Sequence, residues 1–215
     1  AARLQGEVRF DRVSRMLYAT DASNYQIDPV GVVVPRTADD VIGAMELAAS
    51  HNVPILPRGG GSSLAGQSVG AALVMDTSKY MNRVLSLNPE SATATVEPGI
   101  NLDALSRQAK QHGLMFGPDP SSSNRATIGG VIGNNASGAH SILYGMTADH
   151  VVSMRAQLPT GETVDLGPGT MADHIARAQA NDATGRLLKK LLAFRETHRE
   201  LIERDFPPHW RRATG

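Results

Sequence analysis

Two glycine-rich stretches constrain this chain more than any other feature. They are Arg58-Gly59-Gly60-Gly61-Ser62-Ser63-Leu64-Ala65-Gly66-Gln67 and Ala126-Thr127-Ile128-Gly129-Gly130-Val131-Ile132-Gly133-Asn134-Asn135-Ala136-Ser137-Gly138. Each follows extended apolar or proline-rich sequence, which puts a permissive backbone at the end of an ordered element. Three consecutive glycines followed by two serines can turn several backbone N–H groups toward one point with no Cβ in the way. That is a concave donor nest suited to a phosphate or pyrophosphate. A surface turn rarely needs three glycines and two serines together, and two such loops in one chain suggest a long phosphorylated ligand.

The sequence around the loops alternates strand and helix. Val30 to Val34 is a largely β-branched run ended by Pro35, and Thr37 then offers a helix cap with Asp40 where a capping box would place its carboxylate. Val41, Met45, Ala48 and Ala49 form the inward stripe of the helix that follows, which stops near His51-Asn52 before Pro54. Ile55 and Leu56 lead into the first glycine loop, and Ala71 to Met75 is a further short strand closed by Asp76. This unit favours a small parallel sheet with a helix on its face and the loop at a strand's C-terminal end, where α/β sheets tend to bind ligands.

From Arg83 the pattern becomes a hairpin: Val84, Leu85 and Leu87, a turn at Asn88-Pro89-Glu90, then Thr93, Thr95 and Val96. Asn101 caps a helix from Leu102 to His112 with Leu102, Leu105 and Ala109 inward, and Gly113 stops it. Val151 to Leu158 and Glu162 to Leu166 flank Pro159-Thr160-Gly161 as a second hairpin. The remaining sequence is helical and charged, with Leu187, Leu188, Leu191, Leu192 and Phe194 giving way to the run Arg195 to Arg212. That run reads as a solvated helix face. There is no internal repeat and no low-complexity segment.

Composition narrows the function classes. At 215 residues and 41% hydrophobic content the chain can bury a proper core. Lys plus Arg equal Asp plus Glu at 21 each, so no overall field draws it to nucleic acid or anionic membrane. The absence of cysteine excludes disulfides, thiolate-held zinc and iron–sulfur clusters within these residues. A chain of this kind that does redox chemistry must borrow its cofactor. No apolar run approaches the roughly 20 residues of a membrane span, and the start, Ala1-Ala2-Arg3-Leu4-Gln5-Gly6, has no signal core. The expected location is cytoplasmic, with peripheral membrane association of a longer protein left open. The missing initial Met and the polar end Arg211-Arg212-Ala213-Thr214-Gly215 read as a piece of such a longer protein.

Five ordered segments carry a resemblance. These are Val32-Val33-Val34-Pro35-Arg36-Thr37-Ala38-Asp39-Asp40-Val41, Pro57 to Ser63, Thr127-Ile128-Gly129-Gly130 with Asn135-Ala136-Ser137-Gly138, Tyr144-Gly145, and Leu158-Pro159-Thr160-Gly161-Glu162-Thr163-Val164. From about Ala19 to Leu166 the chain resembles the FAD-binding domain of FAD-linked oxidases with the vanillyl-alcohol oxidase fold, in the branch of D-lactate, glycolate and D-2-hydroxyglutarate dehydrogenases. The resemblance implies an α+β fold of two lobes with FAD extended between them: residues 1–82 as a small β-α-β lobe, 83–170 as a larger mixed-sheet lobe, and 171–215 as a helical insertion or extension. It also implies oxidation of a 2-hydroxy acid, hydride passing from the substrate Cα to flavin N5 as a base takes the hydroxyl proton. The electron acceptor and that base are unassigned.

Carried over residue by residue, the resemblance has Pro57, Arg58, Gly59, Gly60, Gly61, Ser62 and Ser63, with Gln67, wrap the FAD pyrophosphate through backbone amides and the serine hydroxyls. Asp119, Pro120, Ser121 and Ser122 pass beside the flavin ring. Thr127, Ile128, Gly129 and Gly130 with Asn135, Ser137, Gly138, Tyr144 and Gly145 lie along the ribityl chain and ring, where glycines also serve tight packing. Some members of the fold attach FAD through a histidine after the first loop's glycines; here Ser62 and Ser63 stand there, which implies non-covalent FAD. His140 reads as a structural or solvent-facing histidine. Met16, Met45, Met75 and Met81 read as core filler, and Asp173 and His174 lack partners for a metal site.

Complete members of that family continue into a Gly-Ser-Glu-Gly-Thr-Leu-Gly stretch and a substrate-binding cap domain, and neither is in this sequence. Two other readings stand beside this one: a reductase of bacterial wall-precursor synthesis acting on an enolpyruvyl sugar nucleotide, and a catalytically idle nucleotide-binding module. The long match from Thr127 to Gly145 and the late helical segment argue against the reductase.

Overall fold

The computed structural model describes residues 4–206; Ala1 to Arg3, the last part of the charged run and the tail Arg211 to Gly215 lie outside the described residues. The chain forms two compact units, one running to His150 and the other beginning at Val151.

The first unit opens with a four-stranded sheet in the order β1 (Glu7–Arg9), β2 (Gly31–Val34), β4 (Leu73–Asp76), β3 (Ile55–Arg58). β1 is antiparallel to β2, whereas β2 and β3 both run parallel to β4, with Val32 opposite Val74 and Leu56 opposite Val74. Successive side chains of β2 point to opposite faces, and both faces are covered. Val32 and Val34 pack with Val74 on one side, and Val33 packs with Met75 and Ala44 on the other. This two-sided burial explains why the strand reads as an unbroken apolar run.

Helix α2 (Ala38–Ser50) covers the second face. Thr37 caps it by accepting the Asp40 N–H at 3.2 Å. The capping box is not completed as expected: the Asp40 carboxylate, only 2% exposed, instead accepts the N–H groups of Arg36 at 2.9 Å and Gln5 at 2.8 Å. The inward stripe is also rotated from the expected one. Ala44 and Ala48 are buried and Ala49 is exposed, with Val41 and Met45 flanking the contact. Packing through alanines lets the helix axis approach the sheet, and the bulkier side chains fill the margins.

Strand β1 and helix α1 (Arg12–Leu17) were not anticipated, because at three and six residues they are too short to show a period. α1 is capped by Asp11, whose carboxylate accepts the Ser14 N–H at 2.9 Å. Met16 lies on it and is exposed, against its expected place in the core, whereas Met75 and Met81 are buried. Near β1 the Glu7 carboxyl is held down at about 2 by hydrogen bonds from Lys79, Tyr80 and Arg9.

Tyr18, just after α1, donates its phenol to Asp76 Oδ2 at 2.6 Å. Burial, then the Asp76 carboxylate, push the phenol above its ordinary value. A raised value in the folded state means that this contribution to stability is fully present below the unfolded phenol's value of about 10 and is lost as pH rises through the folded value. Tyr18→Phe should therefore cost about 1–2 kcal/mol at neutral pH and remove part of the alkaline loss of stability. Urea unfolding of both proteins between neutral pH and pH 11 checks this; superimposed pH profiles would show that the bond contributes nothing.

The expected hairpin is present as β5 (Val84–Asn88) and β6 (Thr93–Val96), antiparallel, with Asn88 Oδ1 accepting the Glu90 and Ser91 N–H groups in the turn. α3 (Leu102–Lys110) starts at Asn101, whose Oδ1 accepts the Ala104 N–H at 3.2 Å, and Gly113 follows its end at φ +72°. Ile100, Leu102 and Leu105 form a core with Ala126, Ile128 and Val131. That core fastens the second glycine stretch, which carries α4 (Ile128–Gly133) and is followed by α5 (Ser141–Tyr144) and α6 (Thr147–His150).

The second unit contains the expected hairpin, β7 (Met154–Gln157) with β8 (Thr163–Leu166), closed by Leu158 and Glu162 around Gly161 at φ +84°. Helices α7 (Met171–Arg177), α8 (Ala183–Thr197) and α9 (Arg199–Asp205) follow. Asp173 serves the local structure, forming the capping box of α7 together with Thr170. Among the described residues no helix is long and apolar enough to cross a membrane, and no cluster of three or more His, Asp or Glu is placed to hold a metal.

Candidate functional site

The first glycine loop leaves the C-terminal end of β3, at the edge of the parallel part of the sheet. Its shape is set by Arg58, whose guanidinium donates to the carbonyls of Tyr18 at 3.3 Å, Ser68 at 3.0 Å and Thr20 at 2.8 Å. The Arg58 side chain is thus occupied in clasping the loop to the segment after α1. The clasp is reinforced where Ala22 donates its N–H to the Gly61 carbonyl at 3.0 Å and Ser68 Oγ donates to Asp21 Oδ2 at 2.8 Å. Sequence reasoning gave no role to residues 18–24. The sole signal for them was the polar string Thr20-Asp21-Ala22-Ser23-Asn24, which resembles any loop.

Within the loop Gly61 has φ +63°, and a Cβ there would lie 2.5 Å from the Arg58 guanidinium. A Cβ on Gly60 would overlap the Arg125 carbonyl oxygen, so the first loop touches the strand-like approach to the second. The backbone N–H groups of Gly60 to Ser63 donate to no protein acceptor among the described residues. Ser63 Oγ donates to Gln67 Oε1, joining the two residues expected to act together.

The second stretch is pinned at its start. Ile128 N–H donates to the Ile100 carbonyl at 3.0 Å and Gly129 N–H to the Pro98 carbonyl at 2.8 Å, while the Ile128 side chain turns into the core. Thr127 precedes α4 and is 3% exposed. Its hydroxyl caps nothing and is buried without a hydrogen-bond partner, pressed against Gly59. A buried unpaired hydroxyl is unfavourable by about 1–3 kcal/mol, which points to a partner outside the protein. A cleft of about 410 Å³ opens here, lined by Gly60, Ser78, Asn82, Asn101, Asn124, Arg125 and Thr127 among others.

Residues 117–122 and 135–145 form a second knot. Gly138 packs directly on the carbonyls of Pro118 and Asp119, which accept the N–H groups of His140 at 3.3 Å and Ala139 at 3.2 Å. Asp119 and Asn135 both hold positive φ, +50° and +44°, uncommon for residues with a Cβ and costing about 1–3 kcal/mol each. Asn135 Oδ1 accepts the Ala148 N–H at 2.9 Å, and Asp119 Oδ2 lies 3.3 Å from His140 Nδ1. The His140 ring meets Tyr144 edge-on at 6.3 Å. Gly145 ends α5 at φ +85°. Pro120 is buried, Ser121 is exposed, and the Ser122 carbonyl accepts from Arg125 and Ala126. Each segment expected to hold the cofactor, from Pro57 to Gly145, therefore lies in the first unit, with unpaired donors at the first loop and strained backbone at Asp119 and Asn135. A row of free amides beside an unpartnered hydroxyl fits the phosphates of a nucleotide.

A family model described as FAD binding domain matches residues 29–167. The chain is 38% identical over 213 residues to the D-2-hydroxyglutarate dehydrogenase of Pantoea ananatis, an alignment covering 98% of this chain and 21% of that protein. It is 35% identical over 181 residues to glycolate oxidase subunit GlcD of Bacillus subtilis, covering 81% of this chain and 38% of that one. In three dimensions it matches alkyldihydroxyacetonephosphate synthase with a TM-score of 0.68 at 30% identity, over 78% of this chain and 34% of the other. The chain thus spans only 21% of the D-2-hydroxyglutarate dehydrogenases it matches. It belongs to the FAD binding domain family, in the α+β fold of vanillyl-alcohol oxidase type, and its cofactor is FAD.

Proposed function

We propose that this chain is the FAD-binding portion of a flavin-dependent oxidoreductase that oxidises a small 2-hydroxy acid. The observation that carries the cofactor part is the run of unpaired N–H groups from Gly60 to Ser63 beside the orphaned Thr127 hydroxyl. The substrate class is supported by relatives named D-2-hydroxyglutarate dehydrogenase and glycolate oxidase subunit. FAD supplies a two-electron acceptor when bound. This chain's residues bind and orient it.

In this reading the backbone of Pro57 to Ser63, the Ser62 hydroxyl and the Ser63–Gln67 pair hold the pyrophosphate, with Arg58 shaping the loop from behind. Thr127 to Gly130 contribute the Thr127 hydroxyl and main chain, since the Ile128 side chain belongs to the core. Asp119 to Ser122, with Asn135, Ser137, Gly138, Tyr144 and Gly145, flank the flavin ring. No histidine or cysteine lies in the first loop, which supports non-covalent attachment. We retain residues 1–82 and 83–170 as the two cofactor lobes and 171–215 as an addition to them. Most of the substrate site belongs to sequence beyond this chain, which spans only 21% of the named D-2-hydroxyglutarate dehydrogenase relative.

The visible spectrum tests the reading. The purified chain, reconstituted with FAD, should show a flavin spectrum, and heat or acid should release the FAD from the polypeptide. In the whole protein D-2-hydroxyglutarate, glycolate or D-lactate should bleach it anaerobically. Failure to take up FAD would overturn the cofactor assignment, and flavin that stays on the denatured chain would overturn non-covalent attachment.

A further inference from the structure

The cleft beside Gly60 carries one cation, Arg125, and no carboxylate in its lining. A pyrophosphate diester bears two negative charges, and backbone amides alone do not neutralise them. The arginine in the first loop is not free to do so: the Arg58 guanidinium is engaged by the carbonyls of Tyr18, Thr20 and Ser68. Arg125 differs. Its backbone packs against Gly60, its side chain is exposed to the cleft, and its guanidinium has no hydrogen-bond or ion-pair partner among the described residues. Two positions along the chain, Thr127, whose hydroxyl is buried and unpartnered, lines the same cleft.

Resting on the FAD reading above, we infer that Arg125 is the cation that pairs with the dinucleotide's pyrophosphate from this cleft, opposite the amides of the first loop. A guanidinium can hold two phosphate oxygens in a fixed fork, which a lysine ammonium cannot. The volume of about 410 Å³ lies in the range of small-molecule sites, about 300–1,000 Å³, and exceeds what a lone phosphate needs. Arg125 thus sets affinity for the dinucleotide's phosphates, and the first loop sets their position.

Binding of FAD, ADP and inorganic pyrophosphate to the unaltered chain, Arg125→Ala, Arg125→Lys and Gly60→Val tests the inference, with melting temperature as the check on folding. Arg125→Ala should weaken FAD and ADP by a common factor of about 10–100, the loss of a charge-assisted hydrogen bond. Its affinity should also respond less to salt than that of the unaltered chain. Arg125→Lys should recover part of the loss. Arg125→Ala binding FAD and ADP within twofold of the unaltered chain would overturn the inference, and loss of FAD by Gly60→Val in the same series would leave the loop reading intact. Inorganic pyrophosphate binding as tightly as ADP would also overturn it, by making the cleft a free-anion site. An unaltered chain that binds neither FAD nor ADP would overturn both.

Discussion

Replacing Gly60 by valine is expected to abolish measurable FAD binding in a protein that remains folded. The new Cβ would overlap the Arg125 carbonyl oxygen, a backbone atom with little room to give. The loop must then move away from residues 125–127, and the N–H groups of Gly60 to Ser63 move with it. Hydrogen bonds to charged groups are worth about 1.5–3 kcal/mol each, so misplacing two of them weakens binding at least about a hundredfold. Gly61→Val should reach the same end by a different route. A β-branched residue at φ +63° costs about 1–3 kcal/mol in backbone strain and pushes on the Arg58 clasp that shapes the loop. Flavin released by heat and quantified by fluorescence, beside a circular dichroism melt, measures both variants. A folded Gly61→Val protein with undiminished flavin would sink the assignment of this loop.

The loop that these variants disturb was legible in the sequence because glycine and serine act through backbone chemistry, which is local. The same holds for caps and turns: Thr37, Asn101 and the two hairpins stand where they were expected. What escaped was set by partners distant in sequence. Arg58 reads in the sequence only as part of the loop's backbone, and the attachment of its guanidinium to residues 18, 20 and 68 depends on how the chain returns past α1. Asp40 was assigned a local capping role, whereas its second oxygen answers to a backbone N–H 35 residues away. Met16 has the composition of a core residue, and its exposure depends on which face of a six-residue helix meets β2. The second glycine stretch could not be read as a helix from propensity, since Gly129 and Gly130 disfavour one. Its hydrogen bonds to Pro98 and Ile100 and the core under Ile128 decide the matter.

That core supplies the other large expected effect. Leu102 is 1% exposed, packs among Ile100, Leu105, Ala126, Ile128 and Val131, and donates its N–H to the Ala126 carbonyl at 3.0 Å. Leu102→Ala removes buried carbon from directly beneath the segment that presents Thr127, and neighbours held by hydrogen bonds to Pro98 and Ile100 cannot collapse into the gap. The cost should fall in the range of about 2–5 kcal/mol for buried leucine truncations, a large share of the roughly 5–15 kcal/mol that stabilises a domain. Leu85→Ala is the matched control. Leu85 lies in the β5–β6 hairpin at 56% exposure, and its truncation should change stability by no more than about 0.5 kcal/mol. Urea midpoints for the two variants provide the comparison. FAD should raise the midpoint of Leu102→Ala less than that of the unaltered chain, because a ligand stabilises only in proportion to its affinity for the native site and this cavity loosens one wall of it. Equal FAD-induced shifts alongside the full loss of stability would separate the core from the site and show that Thr127 is held in place by its backbone bonds alone.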